Sequence, residues 1–244
     1  MTRALIVLTL RQLAGRRRAL FLVILAFIPV AVALFYRFGS DHVDPVEFAP
    51  DMLDALVLAV VLPLTALVFG TAALGAEIED GTAVYLLSKP IGRRRILMVK
   101  IGVATVATVA LALPSTLLTA LITLGGDDPY GISAGFVLAV VVGATAYCAL
   151  FVALSVRTSR ALLIGLVYVF VWEGIVTNIF EGTRWVSIRE YMLGLADLVS
   201  SAPARALEAD LGGGSAAVAV VILFTLSVLL GVRLIQRFEV GERL

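Results

Sequence analysis

Apolar residues along this chain follow neither the alternation of a half-buried strand nor the stripe of an amphipathic helix. They run on without charge for 18 residues or more at a stretch. Five stretches hold no Asp, Glu, Lys or Arg: 19–36, 55–76, 101–126, 129–156 and 211–232. A sixth, 161–180, is interrupted only by Glu173. At 1.5 Å per residue, about 20 residues cross the roughly 30 Å hydrocarbon layer as a helix. These runs are too long for the tilted strands of about 10 residues that build a transmembrane barrel. The pattern predicts an all-α integral membrane protein, one domain over 1–244 with six transmembrane helices at 19–38, 52–76, 100–126, 129–156, 161–180 and 211–232. Ahead of the first run, 1–18 mixes Leu5, Ile6, Leu8, Leu10 and Leu13 with Arg3, Arg11 and Arg16 to Arg18, the pattern of an interfacial helix lying on the membrane. No small-residue cleavage site precedes Tyr36 and Arg37, so the first run is expected to be retained rather than removed as a secretory signal.

Composition agrees. Apolar residues make up 61% of the chain and charged ones 15%, where a soluble domain carries about 25% charge. The 19 basic and 18 acidic side chains nearly cancel to +1, which argues for no nucleic-acid partner. Their distribution is more informative than their sum. With the amino terminus inside, fifteen bases fall on the cytoplasmic side and four outside: Arg37, Arg184, Arg189 and Arg205. The positive-inside rule then places both termini in the cytoplasm of a multi-pass plasma (inner) membrane protein. The outer side is acidic, with Asp41, Asp44, Glu47, Asp51, Asp127 and Asp128 in two loops.

Several chemistries are excluded. One cysteine, Cys148, and one histidine, His42, cannot make a disulfide, a zinc cage or a haem attachment within one chain, and no metal site is expected. No GxxxxGK[ST] occurs, so the chain does not bind ATP through a P-loop. Nor is there an HExxH, a GxSxG or a pair of intramembrane aspartates, so no catalytic residue is expected and the chain is read as a transport subunit, not an enzyme.

The longest cytoplasmic connection, 77–99, carries the least ordinary sequence. Glu77, Glu79 and Asp80 form an acidic turn at Gly81. Thr82 can cap a short helix, Pro90 and Gly92 end it, and Arg93, Arg94 and Arg95 follow as a basic clamp. Leu86 and Leu87 on that helix need a surface to cover, which points to a docking element for another protein. The plainer alternative is a loop whose acids cap a helix and whose arginines hold anionic headgroups. The run from Gly75 to Thr82, then Tyr85-Leu86-Leu87-Ser88-Lys89-Pro90-Ile91, Arg93-Arg94 and Lys100, resembles the signature loop of type-2 ABC transporter permeases. Asp80 stands where that family often has a basic residue, and Arg93 to Arg95 make the clamp more basic than usual. The amphipathic entry helix, the six spans and the long connection before the last span extend the resemblance over the whole chain.

What the resemblance implies is a membrane-spanning permease subunit of an ABC exporter. It would pair with a second permease copy or paralogue and with two separate ABC ATPase subunits, which bring ATP and Mg; the chain itself holds no cofactor. The coupling helix would be the segment around Glu77, Glu79, Gly81, Thr82, Leu86, Leu87, Ser88 and Pro90, with Arg93 beside it. The turn Arg157-Thr158-Ser159-Arg160 would add a second contact through Arg157 and Arg160. Pro63 and Pro114 are places where the flanking spans can bend or sit statically kinked.

On the opposite side, Glu173 is read as the acid inside a span, roughly 20 Å from the cytoplasmic end at helical rise. It lines the transport path or a dimer interface, or else makes a structural hydrogen bond. The connector 181–210 repeats apolar residues at near-helical spacing and is expected to lie in the outer interface; the resemblance implies short outer helices there, anchored among headgroups by Trp185 and Tyr191. Gly131 and Gly135 form a GxxxG, favouring close helix packing without locating a dimer interface. The expected cargo is an amphiphilic compound, peptide or lipid moved outward. The alternative class, an ion-gradient-driven secondary transporter, lacks intramembrane ionisable groups beyond Glu173 and repeated halves.

Overall fold

The computed structural model describes residues 16–39, 44–79, 92–128, 130–201 and 211–236, and all regular structure among them is helical. Helix α1 is Arg16–Phe38. Helix α2 runs without a break over 45–79, as an α-helical Pro45–Met52, a π-helical Leu53–Val61 and an α-helical Leu62–Glu79. Helices α3 and α4 are Arg93–Leu124 and Ile132–Arg157. Helix α5 spans 161–179 and contains a second π segment, Tyr168–Val176. A 3-10 turn, Glu181–Val186, leads to α6, Ile188–Val199, and α7 is Gly213–Gln236.

Among the described residues, five helices, α1 to α4 and α7, are long and apolar enough to cross a membrane. The sixth expected span departs from the expectation, because its apolar stretch counts only 161–176. Glu173 and the polar residues after it shorten the run, and the chain then folds back. Other boundaries shift as well. Pro45 starts α2 in the region read as outer loop, since Asp44 caps it by accepting from the Val46 amide at 2.9 Å and proline suits a first turn. Arg93 to Val99, read as part of the connection, form the first two turns of α3. Of 1–18, only Arg16 to Arg18 are described, as the first turn of α1.

Helix α4 is the central rod, packed against α2, α3, α6 and α7, while α1 lies at the edge on α3. Small residues on α4 let its neighbours close in. A Cβ on Gly135 would stand 2.5 Å from the Ala196 carbonyl oxygen of α6, and one on Gly143 would meet Leu62 of α2 and Met192 of α6 at 2.8 Å. The GxxxG glycine Gly135 therefore packs within the chain. Gly131, its partner in the motif, instead adopts φ +65 just before α4. Cys148 is buried beside the Thr108 hydroxyl at 3.3 Å, a packing position.

The two ends of the bundle differ in charge. One carries Asp44, Glu47, Asp51, Asp127 and Asp128; the other carries Arg93 to Arg95, Arg157, Arg160 and Arg233. At the acidic end α3 stops on Gly125 in the left-handed conformation, a usual helix terminator. Asp128 then starts α4, accepting from the Ile132 amide at 2.9 Å, the Ser133 amide at 2.8 Å and the Ser133 hydroxyl at 2.5 Å. Partial burial pushes its carboxyl up, but these hydrogen bonds outweigh it and hold the group below the usual carboxylate range.

Two outcomes follow for stability in detergent. Gly135→Ala, which meets backbone, should cost about 1–3 kcal/mol, and Gly143→Ala, which meets only flexible side-chain ends, should cost less; thermal unfolding of both variants checks the order. Asp128→Ala should cost about 1 kcal/mol at neutral pH. Because the folded carboxyl is lowered, that difference should hold above the unfolded value of about 3.9 and close as pH falls through the folded one. A melting series from pH 7 down to acid reads it.

Candidate functional site

The foot of α6 is where polar chemistry concentrates inside the bundle. After α5 the chain reverses at Phe180. The Thr183 hydroxyl donates to the Phe180 carbonyl at 2.7 Å, Arg184 Nε to the Thr177 carbonyl at 3.4 Å, and Trp172 Nε1 to the Val186 carbonyl at 3.3 Å. These bonds lay the 3-10 turn back along α5, so α6 begins level with Glu173. From there α6 climbs α4: Met192 meets Gly143, Ala196 meets Gly135, and the Ser201 amide donates to the Tyr130 carbonyl at 2.8 Å.

A helix that starts inside a membrane protein brings unpaired amides and a partial positive charge with it. Glu173 meets both. One carboxylate oxygen accepts from the Ile188 amide at 3.0 Å and the Tyr168 hydroxyl at 3.1 Å; the other accepts from the Tyr147 hydroxyl at 2.5 Å. The residue is 4% exposed. Phe151 holds the two phenols in place, stacked on Tyr147 with ring centroids 5.9 Å apart and edge-on to Tyr168 at 6.5 Å. Ser187 adds a side-chain cap to the Glu190 amide at 3.4 Å.

The π segment puts Glu173 in position. The buried residues of α5 are Ala161, Gly165, Val169, Glu173 and Thr177, a strict spacing of four. In a pure α-helix that spacing drifts around the axis, and the wider turns of Tyr168–Val176 bring it back to one face.

A second carboxylate reaches the first turn of α6 from another helix. Asp54, in the π segment of α2, accepts from Arg189 Nε at 2.9 Å and from Arg189 Nη2, a forked ion pair whose side chains are 18% and 17% exposed. Two π-helical stretches thus each deliver one acid to the first turn of α6.

Of the residues singled out in the sequence, Glu173 is buried and makes the hydrogen bonds described above. Trp185 is 65% exposed, whereas Tyr191 is buried and donates its hydroxyl to the Trp185 carbonyl. Helix α6 is likewise inserted between α4 and α7, not laid on the surface, because its apolar face from Tyr191 to Ala196 is covered by both. Arg93 Nη1 donates to the Ile235 and Gln236 carbonyls at 2.9 Å each, tying the start of α3 to the last described turn of α7. Arg157 and Arg160 are exposed at the same basic end, where the Arg160 amide donates to the Thr158 hydroxyl at 3.2 Å. Glu77 and Glu79 belong to the last turn of α2. Gly81, Thr82, Leu86, Leu87, Ser88 and Pro90 lie outside the described residues.

Asp54, Tyr147, Tyr168 and the pairing of Arg189 escaped the sequence reading. Asp54 had a signal: it lies two residues inside the expected second span and is its only acid.

The sequence profile of the family described as ABC-2 family transporter protein matches residues 16–180, well over half of the chain. The chain therefore belongs to the ABC-2 transporter family, and it is a multi-pass membrane transport subunit. No curated protein matches it in sequence.

Removing one phenol should leave Glu173 short of a donor. Tyr147→Phe is expected to lower stability by about 1–3 kcal/mol, the cost of leaving a buried acceptor without its donor, read by thermal unfolding in detergent. Glu173→Ala, which removes the acceptor of all three donors, should cost more.

Proposed function

We propose that this chain is the permease half of an ABC exporter that moves an amphiphilic compound, peptide or lipid outward, powered by two ATPase subunits and completed by a second permease. The observation that carries the reading is that the motif from Gly75 to Lys100 lies wholly inside the family match over residues 16–180. In this reading 77–99 is the coupling segment, with Arg93, Arg157 and Arg160 beside it at the basic end, and that end is cytoplasmic in the plasma membrane. Helix α5 is then the sixth crossing. Its 161–179 run is about 28 Å long at helical rise, close to the hydrocarbon thickness. The chain also passes from the basic end at Arg160 to the acidic end at Gly213, where α7 begins beside Leu198. ATP and Mg belong to the partner subunits.

The mechanism asked of such a chain is mechanical. Closure of the ATPase subunits displaces the coupling segment, and the bundle answers by changing which side its interior faces, a two-state shift biased by nucleotide. Replacing Glu77 and Glu79 together with alanine should leave membrane insertion intact. ATP hydrolysis in the assembled complex should fall about tenfold, a loss of roughly 1.4 kcal/mol of coupling. Hydrolysis and complex yield at the unsubstituted level would contradict the docking role.

A further inference from the structure

A displacement imposed at the basic end reaches the acidic end only through elements that do not absorb it. Helix α2 is continuous over 45–79, through Pro63, so Asp54 lies on the same helix as Glu77 and Glu79, roughly 35 Å along it at helical rise. Arg189 is the second residue of α6, and α6 delivers its far end to Gly131 and Tyr130 at the acidic end. Helix α6 packs chiefly on α4 and α7, and its contact with α2 centres on the π segment that carries Asp54. The Asp54–Arg189 fork is therefore a directed polar link between the helix that enters the coupling segment and the helix that ends beside Tyr130 and Gly131. A bidentate guanidinium–carboxylate pair fixes orientation as well as distance. With side chains 18% and 17% exposed, water does not readily replace either partner.

We infer that Asp54 and Arg189 are positioning residues that transmit a displacement of α2 to α6, so that the acidic end responds to events at the basic end. This rests on the ATP-driven reading above. The link is one of charge and geometry, so exchanging the two charges should preserve it while neutralising either one should break it.

The test uses the full complex, this chain with the ATPase subunits that copurify with it, in liposomes. Cys148→Ala removes the sole cysteine, and Leu198→Cys places a thiol on the last turn of α6, where Leu198 is 59% exposed. Modification by a membrane-impermeant maleimide is timed with and without ATP and vanadate. With the pair intact, nucleotide should change the labelling rate about fivefold, within the usual span of allosteric coupling. Asp54→Asn and Arg189→Gln should each abolish that change while ATP hydrolysis continues, and the exchange D54R/R189D should restore it. Where a neutral variant fails to fold, Asp54→Glu, which keeps the charge and shifts the contact, should weaken the response. A nucleotide response that survives Asp54→Asn, or Asp54→Glu where that stands in for it, overturns the inference, as does an intact pair that hydrolyses ATP with constant labelling. A complex without ATPase activity overturns the ATP-driven reading instead.

Discussion

Inside a hydrocarbon layer no water stands ready to complete a hydrogen bond, so each polar atom has to find its partner within the protein. Glu173 is where that constraint governs the architecture. A buried acid is costly alone, and so is the bare amino end of a helix. Brought together they satisfy one another: the carboxylate accepts from the Ile188 amide and from the phenols of Tyr147 and Tyr168. Three elements, α4, α5 and α6, meet at one side chain. The return of the chain after Phe180, the π turns of α5 and the aromatic packing of Phe151 all serve to bring those donors to the same point.

The rest of the bundle is held by different means. Apolar surface supplies little drive for association when the solvent is itself hydrocarbon, so helices gain by approaching closely where side chains are small. Helix α4 shows this along its length, with Gly135 and Gly143 against α6 and α2, and Ala139, Ala144, Ala146 and Ala149 buried between them. At the basic end the join is polar again, where Arg93 takes the carbonyls that end the described part of α7. Arginine is suited to that place, because its several donors can serve two carbonyls at once.

The helical class was legible because charge-free runs of this length admit no other spanning structure, and α1 to α4 and α7 fall where those runs fall. Their ends were less legible. Arg93 to Val99 read as loop because three arginines look like a surface clamp, yet arginine is a good helix former and Ile96 and Leu97 beyond them are buried. The foot of α6 was hardest to see. Its partners lie far apart in sequence, with Tyr147 26 positions from Glu173 and Arg189 135 positions from Asp54. Tyr191 is a case of the same kind: nothing local reveals that α6 packs between α4 and α7 and buries it.

Helix α6 would be free to slide or rotate if apolar packing alone held it, because Leu193, Leu195 and Ala196 would be as well covered one turn away. Three determinants of different kind remove that freedom. Glu173 fixes the height of its first turn against α5, since the Ile188 amide can be met at one level only. Gly135 and Gly143 fix its height against α4, since the backbone at Ala196 and the thioether of Met192 fit only opposite those glycines. The Asp54–Arg189 pair fixes its rotation, since Arg189 must point to α2 for the fork to close. Ionic groups at semi-buried positions add less to stability than to uniqueness, because desolvating them offsets most of their attraction while misplacing them is severely penalised. The polar residues at the foot of α6 thus select one seating for a helix whose apolar face would accept several.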